Sequence, residues 1–316
     1  MKLGRKMAAA ALALLCMGMA ASAAAQQVTE GSRGLLYRVS GGRADMVLLG
    51  SIHVGSQDMY PFGDAVQQAM AVADTFVYEC DTSSAEAMDA VRTRMRRTGG
   101  TLQAELGDAL YAQVSQVCRQ LGISMQGIDV LKPWAVINTL AVYTTAAEMG
   151  TADVAQALAL GVERQVQAYA AEQGKKAVYL ETLAEQLDTL EGFSPALQRY
   201  LLQSECDVIL NPDAARGLDA SIGQWPAWWR DGDAAAFADN YLGSYLQTGF
   251  EQVCAEYHDT LVTRRNAAMA ERLETLLVQG GSYFVTVGLL HLALPEDSIL
   301  THLQEKGYTV TELSRP

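Results

Sequence analysis

Apolar and polar positions along this chain follow two periods, which together predict an α/β fold. Short, largely apolar runs at residues 46–49, 76–78 and 283–287 are typical of strands that are buried on both faces of a sheet. Longer stretches repeat their apolar positions every three to four residues, as amphipathic helices do. The strands come early and late in the chain, and residues 182–279 are almost wholly helical in period.

These elements predict a single α/β domain over residues 26–316. Its core is a central mixed, partly parallel sheet flanked by helices, and a long helical insertion lies at about 182–279. A strand, a helix and a strand follow one another within residues 45–80, which is typical of a crossover between parallel strands. The pattern also predicts a short strand end at residues 127–130 and one helix over residues 153–173.

Residues 1–25 have the pattern of a secretory signal peptide. Three basic residues precede an apolar run at residues 7–20, and a stretch of small residues then leads to Gln26. Because this run is short for a membrane-spanning helix, we expect cleavage, with an uncleaved N-terminal anchor as the alternative. We therefore expect an exported protein, periplasmic or extracellular, with no stable membrane span after cleavage.

Charge excludes some classes of partner. The chain has 23 Lys and Arg against 36 Asp and Glu, a formal net charge of −13, and loss of the three basic residues in the signal peptide makes it −16. A general nucleic-acid binder needs clustered basic residues for phosphate contacts, so we expect no nucleic acid as a partner. A peptide or a small extracellular substrate is the expected ligand, and the oligomeric state is left open.

The cysteines leave two alternatives open. Cys80, Cys118, Cys206 and Cys254 remain after the predicted cleavage. In an exported protein they could form two disulfides, and a Cys206–Cys254 staple within the helical block is one option. The alternative is four buried free thiols.

Two glycine–x–x–histidine turns are the strongest chemical signal. Gly50 to His53 and Gly288 to His291 each follow an apolar strand, and the chain has only four histidines. Ligands bind at the carboxyl edge of open α/β sheets, so the two imidazoles could share one pocket if their strands are close. The alternative is a pair of structural histidines that are hydrogen-bonded at strand ends.

Two carboxylates, Glu79 and Glu181, directly follow two other apolar strands. Burial of a carboxylate at such a position is costly without a cation. Two histidines and one or two carboxylates form a plausible site for Zn, Mn or Co, with His53, His291 and Glu79 as the expected metal ligands. No organic cofactor is expected.

The remaining polar and aromatic clusters have simpler interpretations. His258 and His302 lie in helical segments and are expected to face solvent. The sequence Arg264-Arg265-Asn266, taken by itself, is typical of a solvated helix face or of ion pairs. The tryptophans at 225, 228 and 229 are expected to pack together, with an interaction patch as the alternative.

Several segments, in order along the chain, resemble the TraB/GumN family, and specifically its secreted bacterial GumN-like branch. They are LLGSIHVGSQDMYPF at 48–62, FVYECD at 76–81, KPW at 132–134, GKKAVYLETLAEQLDTL at 174–190, RRNAAMAERL at 264–273, FVTVGLLHL at 284–292 and GYTVTEL at 307–313. The chain is also similar to the catalytic domain of the Tiki metalloproteases and to the wider erythromycin esterase and ChaN group.

The resemblance implies functions for particular residues. The paired histidines of the Tiki-like pattern fall on His53 and His291, and its acidic residue falls on Glu79. The Leu-Glu-Thr glutamate is Glu181, and Arg265 of the Arg-Asn pair is implied to face the same pocket, where it could stabilise an oxyanion. One departure is Ala293-Leu294-Pro295, which stands where a glycine-bearing turn is commoner.

The leading hypothesis is an exported metal-dependent hydrolase, most simply a peptidase. His53, His291 and Glu79 would hold the metal or activate water, with Glu181 as a second ligand or general base. The alternatives are a non-catalytic protein that binds a peptide or another partner on the same fold, and an esterase.

Overall fold

The computed structural model describes residues 31–151, 153–211, 222–245 and 249–314 of the chain. The predicted signal peptide, residues 1–25, lies outside these described residues. Within them, no helix is long and apolar enough to cross a membrane.

Six strands form one mixed sheet, which confirms the predicted α/β fold. The strands are β1 (Leu35–Ser40), β2 (Ala44–Ser51), β3 (Thr75–Tyr78), β4 (Lys176–Tyr179), β5 (Gly281–Gly288) and β6 (Thr309–Glu312). Their order in space is β4-β3-β5-β2-β1-β6. The four neighbours β4, β3, β5 and β2 run parallel, whereas β1 runs antiparallel to both β2 and β6.

Helices of the described residues connect these strands. In chain order they are α1 (Asp64–Val72), α2 (Ala85–Met95), α3 (Leu102–Leu106), α4 (Asp108–Leu121), α5 (Met125–Ile128), α6 (Pro133–Glu148), α7 (Val154–Ala159), α8 (Val162–Glu172), α9 (Leu183–Glu191), α10 (Pro195–Leu210), α11 (Trp225–Asp231), α12 (Ala234–Tyr245), α13 (Glu251–His258), α14 (Arg264–Gln279), α15 (Leu290–Ala293) and α16 (Ile299–Glu305). Helices α2 to α8 lie between β3 and β4, and α9 to α14 lie between β4 and β5.

The buried apolar residues form two main clusters. One lies against the sheet and includes Leu48, Phe76 and Phe284 from β2, β3 and β5. The other lies among helices α2 to α6, α9 and α10, with Trp134 and Leu197 among its buried members. A sheet with a second, purely helical core beside it accounts for the large share of helix in the chain.

The tryptophan cluster packs into the sheet core rather than onto the surface. Trp229 is fully buried, and its indole Nε1 donates a hydrogen bond to the Gly50 carbonyl at 2.7 Å. Trp225 and Trp228 each pack edge-on against Phe237. Trp229 therefore holds the end of β2 at the point where the chain turns towards His53.

Two local predictions were wrong. Residues 127–130 belong to α5 and the turn after it, because Ile128 is buried among helices and a short apolar run does not distinguish strand from helix. Residues 153–173 form two helices, α7 and α8, with a break at Gly161. A Cβ at Gly161 would lie 2.3 Å from the His53 carbonyl oxygen, so this close approach requires glycine.

The structure also decides the state of the cysteines and of two histidines. Cys80, Cys118, Cys206 and Cys254 are all buried free thiols, so the Cys206–Cys254 disulfide is not formed.

His258 and His302 do not face solvent, contrary to the prediction. Their side chains are only 22% and 25% exposed, and both lie beside the carboxylate of Asp297.

Candidate functional site

The carboxyl edge of the parallel strands brings the predicted site residues to one place. Strands β2 and β5 are direct neighbours, and their register pairs Ser51 with Gly288. The two glycine–x–x–histidine turns therefore leave the sheet side by side. Strands β3 and β4 end beside them, with Tyr78 paired to Tyr179, so the glutamates that follow these strands emerge at the same edge.

Glu79 is fixed as a buried, ionised carboxylate. Its Oε1 accepts a hydrogen bond from the Gly288 amide at 2.6 Å, and its Oε2 accepts one from Arg265 Nη2 at 2.6 Å. Burial by itself would raise the pKa of Glu79, but Arg265, the neighbouring histidines and the Gly288 amide outweigh it and hold the pKa at about 2. A Cβ at Gly288 would lie 3.2 Å from Glu79 Oε1, so glycine keeps this contact open.

Arg265 bridges the two glutamates. Its Nε and Nη2 donate to the Glu181 carboxylate at 3.0 and 2.7 Å, in a two-pronged contact that only a planar guanidinium can make. The three side chains are largely buried, with exposed fractions of 12% for Arg265, 12% for Glu79 and 6% for Glu181. Two carboxylates against one guanidinium leave this cluster with a net negative charge, which favours a further cation.

His291 lies against the same guanidinium as a neutral ring. Asn266 donates its amide N–H to the Asp297 carbonyl at 2.6 Å, so its own oxygen faces His291 Nδ1 at 2.5 Å. This assigns the ring proton to Nδ1 and leaves a lone pair on Nε2, which lies 3.2 Å from Arg265 Nη1. Burial is the main cause that lowers the pKa of His291 to about 4.

A π-helix, Asp259–Thr263, sits directly before α14 and sets the direction of Arg265 and Asn266. Helical insertions of this kind often mark functional sites, because the extra residue in the turn redirects the side chains around it. Asn266 is fully buried, and Arg264, one residue away from Arg265, is 72% exposed and pairs with Asp259. The helix therefore turns Arg265 inward and Arg264 outward.

Asp297, in the turn before α16, holds Asn266 and the π-helix in place. It adopts a φ of 57°, in the left-handed region, and this places its carbonyl on the Asn266 amide. Its carboxylate accepts hydrogen bonds from Thr263 and, at 3.0 Å, pairs with His302 Nε2. The turn before α16 is thereby tied to the π-helix and, through Asn266, to the His291 ring.

His53 lies at the margin of the cluster. Its ring is 73% exposed, and its Nδ1 pairs with Glu163 at 2.8 Å. Attraction to this carboxylate is the main reason why the pKa of His53 is raised. Among the described residues, His53 makes no hydrogen bond to Glu79, Arg265 or His291, although its charge contributes to the lowered pKa of Glu79 and His291.

The inner cluster opens onto a polar cleft of about 380 Å³. Glu181 and Arg265 form part of its wall, and the remaining charged residues are Glu185, Asp188, Arg264 and Arg272. Arg272 pairs with Glu185 across the cleft at 2.7 Å. A substrate that enters here meets alternating charges rather than an apolar surface.

The buried thiol next to Glu79 offers no nucleophile. Burial raises the pKa of Cys80 to about 12, and its Sγ contacts the Gln186 side-chain oxygen at 3.0 Å. A thiol with so high a pKa carries almost no thiolate at neutral pH. The chemistry of the site therefore depends on its imidazole, carboxylate and guanidinium groups.

Residues 35–312 match the family model of the TraB/PrgY/gumN family. The chain belongs to the TraB/PrgY/gumN family. It is also 25% identical over 249 residues to YbaP of Escherichia coli strain K12, an uncharacterised protein, with 78% of this chain and 83% of YbaP covered. YbaP of Shigella flexneri, also uncharacterised, matches to the same extent. No solved structure matches this chain in the comparison.

Four of the five predicted site residues in this TraB/PrgY/gumN protein are in direct contact. Glu79, Glu181, Arg265 and His291 form one hydrogen-bonded cluster, and His53 stands beside it. Sequence reasoning missed Glu163, which is the His53 partner, and Gln186, whose amide donates to Glu79 at 3.2 Å. Both lie near the starts of helices, where a polar residue is ordinary, so the pattern alone gave little sign of them.

Of the three predicted metal ligands, His291 and Glu79 have the chemistry that a divalent cation requires, whereas His53 is paired with Glu163 and has its pKa raised to about 9. His291 is neutral with a lone pair on Nε2, its Nδ1 is oriented by an amide, and Glu79 is ionised, as metal ligands require. His291 Nε2 and Glu79 Oε1 are 3.8 Å apart. Among the described residues, however, no three His, Cys, Asp or Glu side chains are arranged as a ligand set, and Arg265 contacts the donors that His291 and Glu79 would offer.

Proposed function

We propose that this TraB/PrgY/gumN protein is an exported hydrolase that cleaves peptide bonds with the help of a divalent cation. One observation carries the proposal: a neutral His291, held by Asn266, lies against Arg265 and Glu79 at the carboxyl edge of a parallel sheet. The likeness to Tiki metalloproteases favours peptides as the substrate class. The signal-peptide pattern of residues 1–25 favours export.

In this proposal each residue of the cluster has a separate function. His291 and Glu79, with His53, would hold the cation, which when bound lowers the pKa of a water molecule and polarises a carbonyl. Arg265 would stabilise the oxyanion that forms from the scissile carbonyl. Glu181 keeps Arg265 in place through its two-pronged contact.

The cleft beside the cluster favours a peptide over a small apolar ester. Its wall carries both carboxylates and guanidinium groups, including the Arg272–Glu185 pair and the exposed side chain of Arg264. A polypeptide backbone offers donors and acceptors to both kinds of group. An apolar ester would instead displace water from these charged groups without offering them hydrogen bonds, at a cost in binding.

A degradomic peptide library tests the proposal. The mature chain is incubated with the library in the presence of Mn²⁺, Co²⁺ or Zn²⁺, or of EDTA, and new peptide termini are identified by mass spectrometry. We expect cleavage with at least one of these cations and its loss in EDTA. Equal cleavage in EDTA would show that cleavage does not require a cation. No cleavage under any condition would refute the proposal that the protein is a peptidase.

Cation binding is measured separately by equilibrium dialysis. We expect about one divalent cation per chain for the wild type and a clear loss for His291→Ala. The matched control is Arg119→Gln, an exposed change on α4 that is far along the chain from every site residue. A wild type that retains no cation, or a variant that retains all of it, would contradict His291 as a ligand.

A further inference from the structure

A second cleft, of about 450 Å³, lies where helices α6 and α10 begin. It shares no lining residue with the cleft beside Arg265. Its volume is within the range of small-ligand pockets in proteins. Its wall combines the start of α6, the start of α10, the end of α3 and the turn after α2.

Three cationic side chains line this cleft, in a protein whose net charge is strongly negative. They are Arg97, Lys132 and Arg199, and the acids among the lining residues are Glu105 and Glu191. Arg97 pairs with Glu105 at 2.7 Å, and Lys132 pairs with Glu191. Arg199 is exposed and has no ion-pair partner within the described part of the chain, so one positive charge remains available.

Two buried N–H donors in the wall lack acceptors. Trp134 is only 3% exposed, and the Arg97 side chain only 6%. Within the described residues, the indole Nε1 of Trp134 and the Nε of Arg97 have no hydrogen-bond partner. A buried donor without an acceptor costs free energy, and natural proteins keep few of them unless a ligand, a water or an ion is bound.

Helix α6 directs its positive end at the cleft, whereas the start of α10 is already capped by Ser194, whose amide and hydroxyl donate to the Glu256 carboxylate at 2.6 Å. Helices α6 and α10 each have 16 residues and begin with a proline, Pro133 and Pro195, that lines the cleft. Lys132, the N-cap residue of α6, makes no side-chain capping bond. Because Pro133 has no N–H and the Ala135 amide donates to the Lys132 carbonyl at 3.0 Å, the first turn offers the Trp134 amide to a ligand. Helix N-termini of this kind attract anions.

We propose that this cleft is a binding site for an oxyanion, either a carboxylate or a phosphate group on a small ligand. The anion lies between Arg199 and the first turn of α6. It accepts hydrogen bonds from the unpaired donors of Arg97 and Trp134, and the indole ring and the two prolines contact the apolar part of the ligand. This inference is independent of the hydrolase proposal, since it uses none of the residues of the Glu79 cluster.

Isothermal titration of the mature chain tests the inference. Inorganic phosphate and acetate are titrated in parallel at constant ionic strength and pH 7, so that the two sources of an oxyanion are compared. We expect saturable one-to-one binding of at least one of the two anions. We expect Arg199→Gln to weaken this binding about tenfold, since a charge-assisted hydrogen bond is lost.

Two further variants test whether the anion binds at this cleft. Arg119→Gln removes the same charge from an exposed position outside the cleft and should leave binding unchanged. Trp134→Phe keeps an aromatic ring, although a smaller one, and removes the indole N–H, and should weaken binding several-fold. Absence of saturable binding of both anions, or equal weakening by Arg119→Gln and Arg199→Gln, would overturn the proposal. Peptide cleavage by Arg199→Gln should equal that of the wild type, which separates the two proposals.

Discussion

Glu79 and Glu181 are two carboxylates at the edge of the sheet. Without Arg265, both would be buried there with no positive charge beside them. Arg265 contacts Glu79, Glu181 and His291 at once, and all four side chains are nearly buried. A buried ion pair contributes little net stability compared with an apolar pair, but loss of one partner is costly. Arg265 should therefore be the least replaceable side chain of the cluster.

Replacement of Arg265 by lysine tests this. Lysine keeps the charge but cannot reach three partners with one planar group, so we expect Arg265→Lys to lower the free energy of unfolding by about 1–3 kcal/mol. Urea denaturation at pH 7 measures the change. Arg264→Lys, at the 72% exposed neighbouring position, should change it by less than about 0.5 kcal/mol. Similar losses in both variants would argue against the bridge.

His291 should make stability depend on pH. Its pKa is about 4 in the folded chain and 6.5 as a free side chain. Between these values the unfolded chain binds a proton that the folded chain does not, so stability falls as the pH drops from about 6.5 towards 4. In EDTA, the wild type should lose on the order of 2 kcal/mol more than His291→Gln between pH 7 and pH 4.5. Urea denaturation measures the free energy of unfolding of both proteins. Equal losses in the wild type and in His291→Gln would contradict a buried, neutral His291 ring.

Among the site residues, the sequence indicated those at the strand ends but not the residues that they contact. Gly50, Gly288 and the two glutamates follow apolar strands, and that position is visible in the sequence. Arg265 was implied only by the family resemblance, because it reaches the cluster from a helix 84 residues beyond Glu181. Glu163 could not be anticipated, because its contact with His53 depends on how closely Gly161 approaches the His53 carbonyl.

Among the secondary-structure elements, the π-helix and the turn before α16 position the cluster. The π-helix directs Arg265 and Asn266 inward, and the left-handed backbone at Asp297 holds the Asn266 amide. Both are departures from regular helix that a periodic pattern does not predict. The same applies to the break between α7 and α8, which the pattern predicted as one helix.

Two substitutions of Asp297 separate its backbone from its side chain. Both Asp297→Gly and Asp297→Ala remove the carboxylate that pairs with His302. Glycine accepts a φ of 57° freely, whereas alanine is strained there by about 1 kcal/mol or more. We expect the alanine variant to be less stable than the glycine variant in thermal or urea unfolding. The reverse order would show that the backbone conformation at Asp297 is not what the fold requires.

Over the whole molecule, the sequence predicted the sheet far better than the helical packing. Short apolar runs rich in β-branched and aromatic residues and bounded by turns favour a buried strand, and this signal identified the central strands correctly. The order β4-β3-β5-β2-β1-β6 interleaves late and early strands and is set by long-range pairing, which local patterns do not encode. The second core of α2 to α6, α9 and α10 was likewise invisible, since any amphipathic helix can face either cluster.

Export is a prediction for the whole chain. When the full-length sequence is expressed in a Gram-negative host, we expect removal of residues 1–25 and recovery of the mature protein in the periplasmic fraction. Intact mass measurement of the purified protein checks this, because cleavage leaves Gln26 as the first residue. An intact N-terminus on a membrane-associated protein would support the uncleaved anchor instead.

The central claim is that His291, with Glu79 and Arg265, forms a hydrolytic centre. The most direct measurement is the rate of cleavage of one library-derived peptide by the wild type and by His291→Ala, at equal concentrations of folded protein and with saturating cation. We predict a loss of at least about 100-fold, with Arg119→Gln unchanged. Full activity in His291→Ala would contradict the claim.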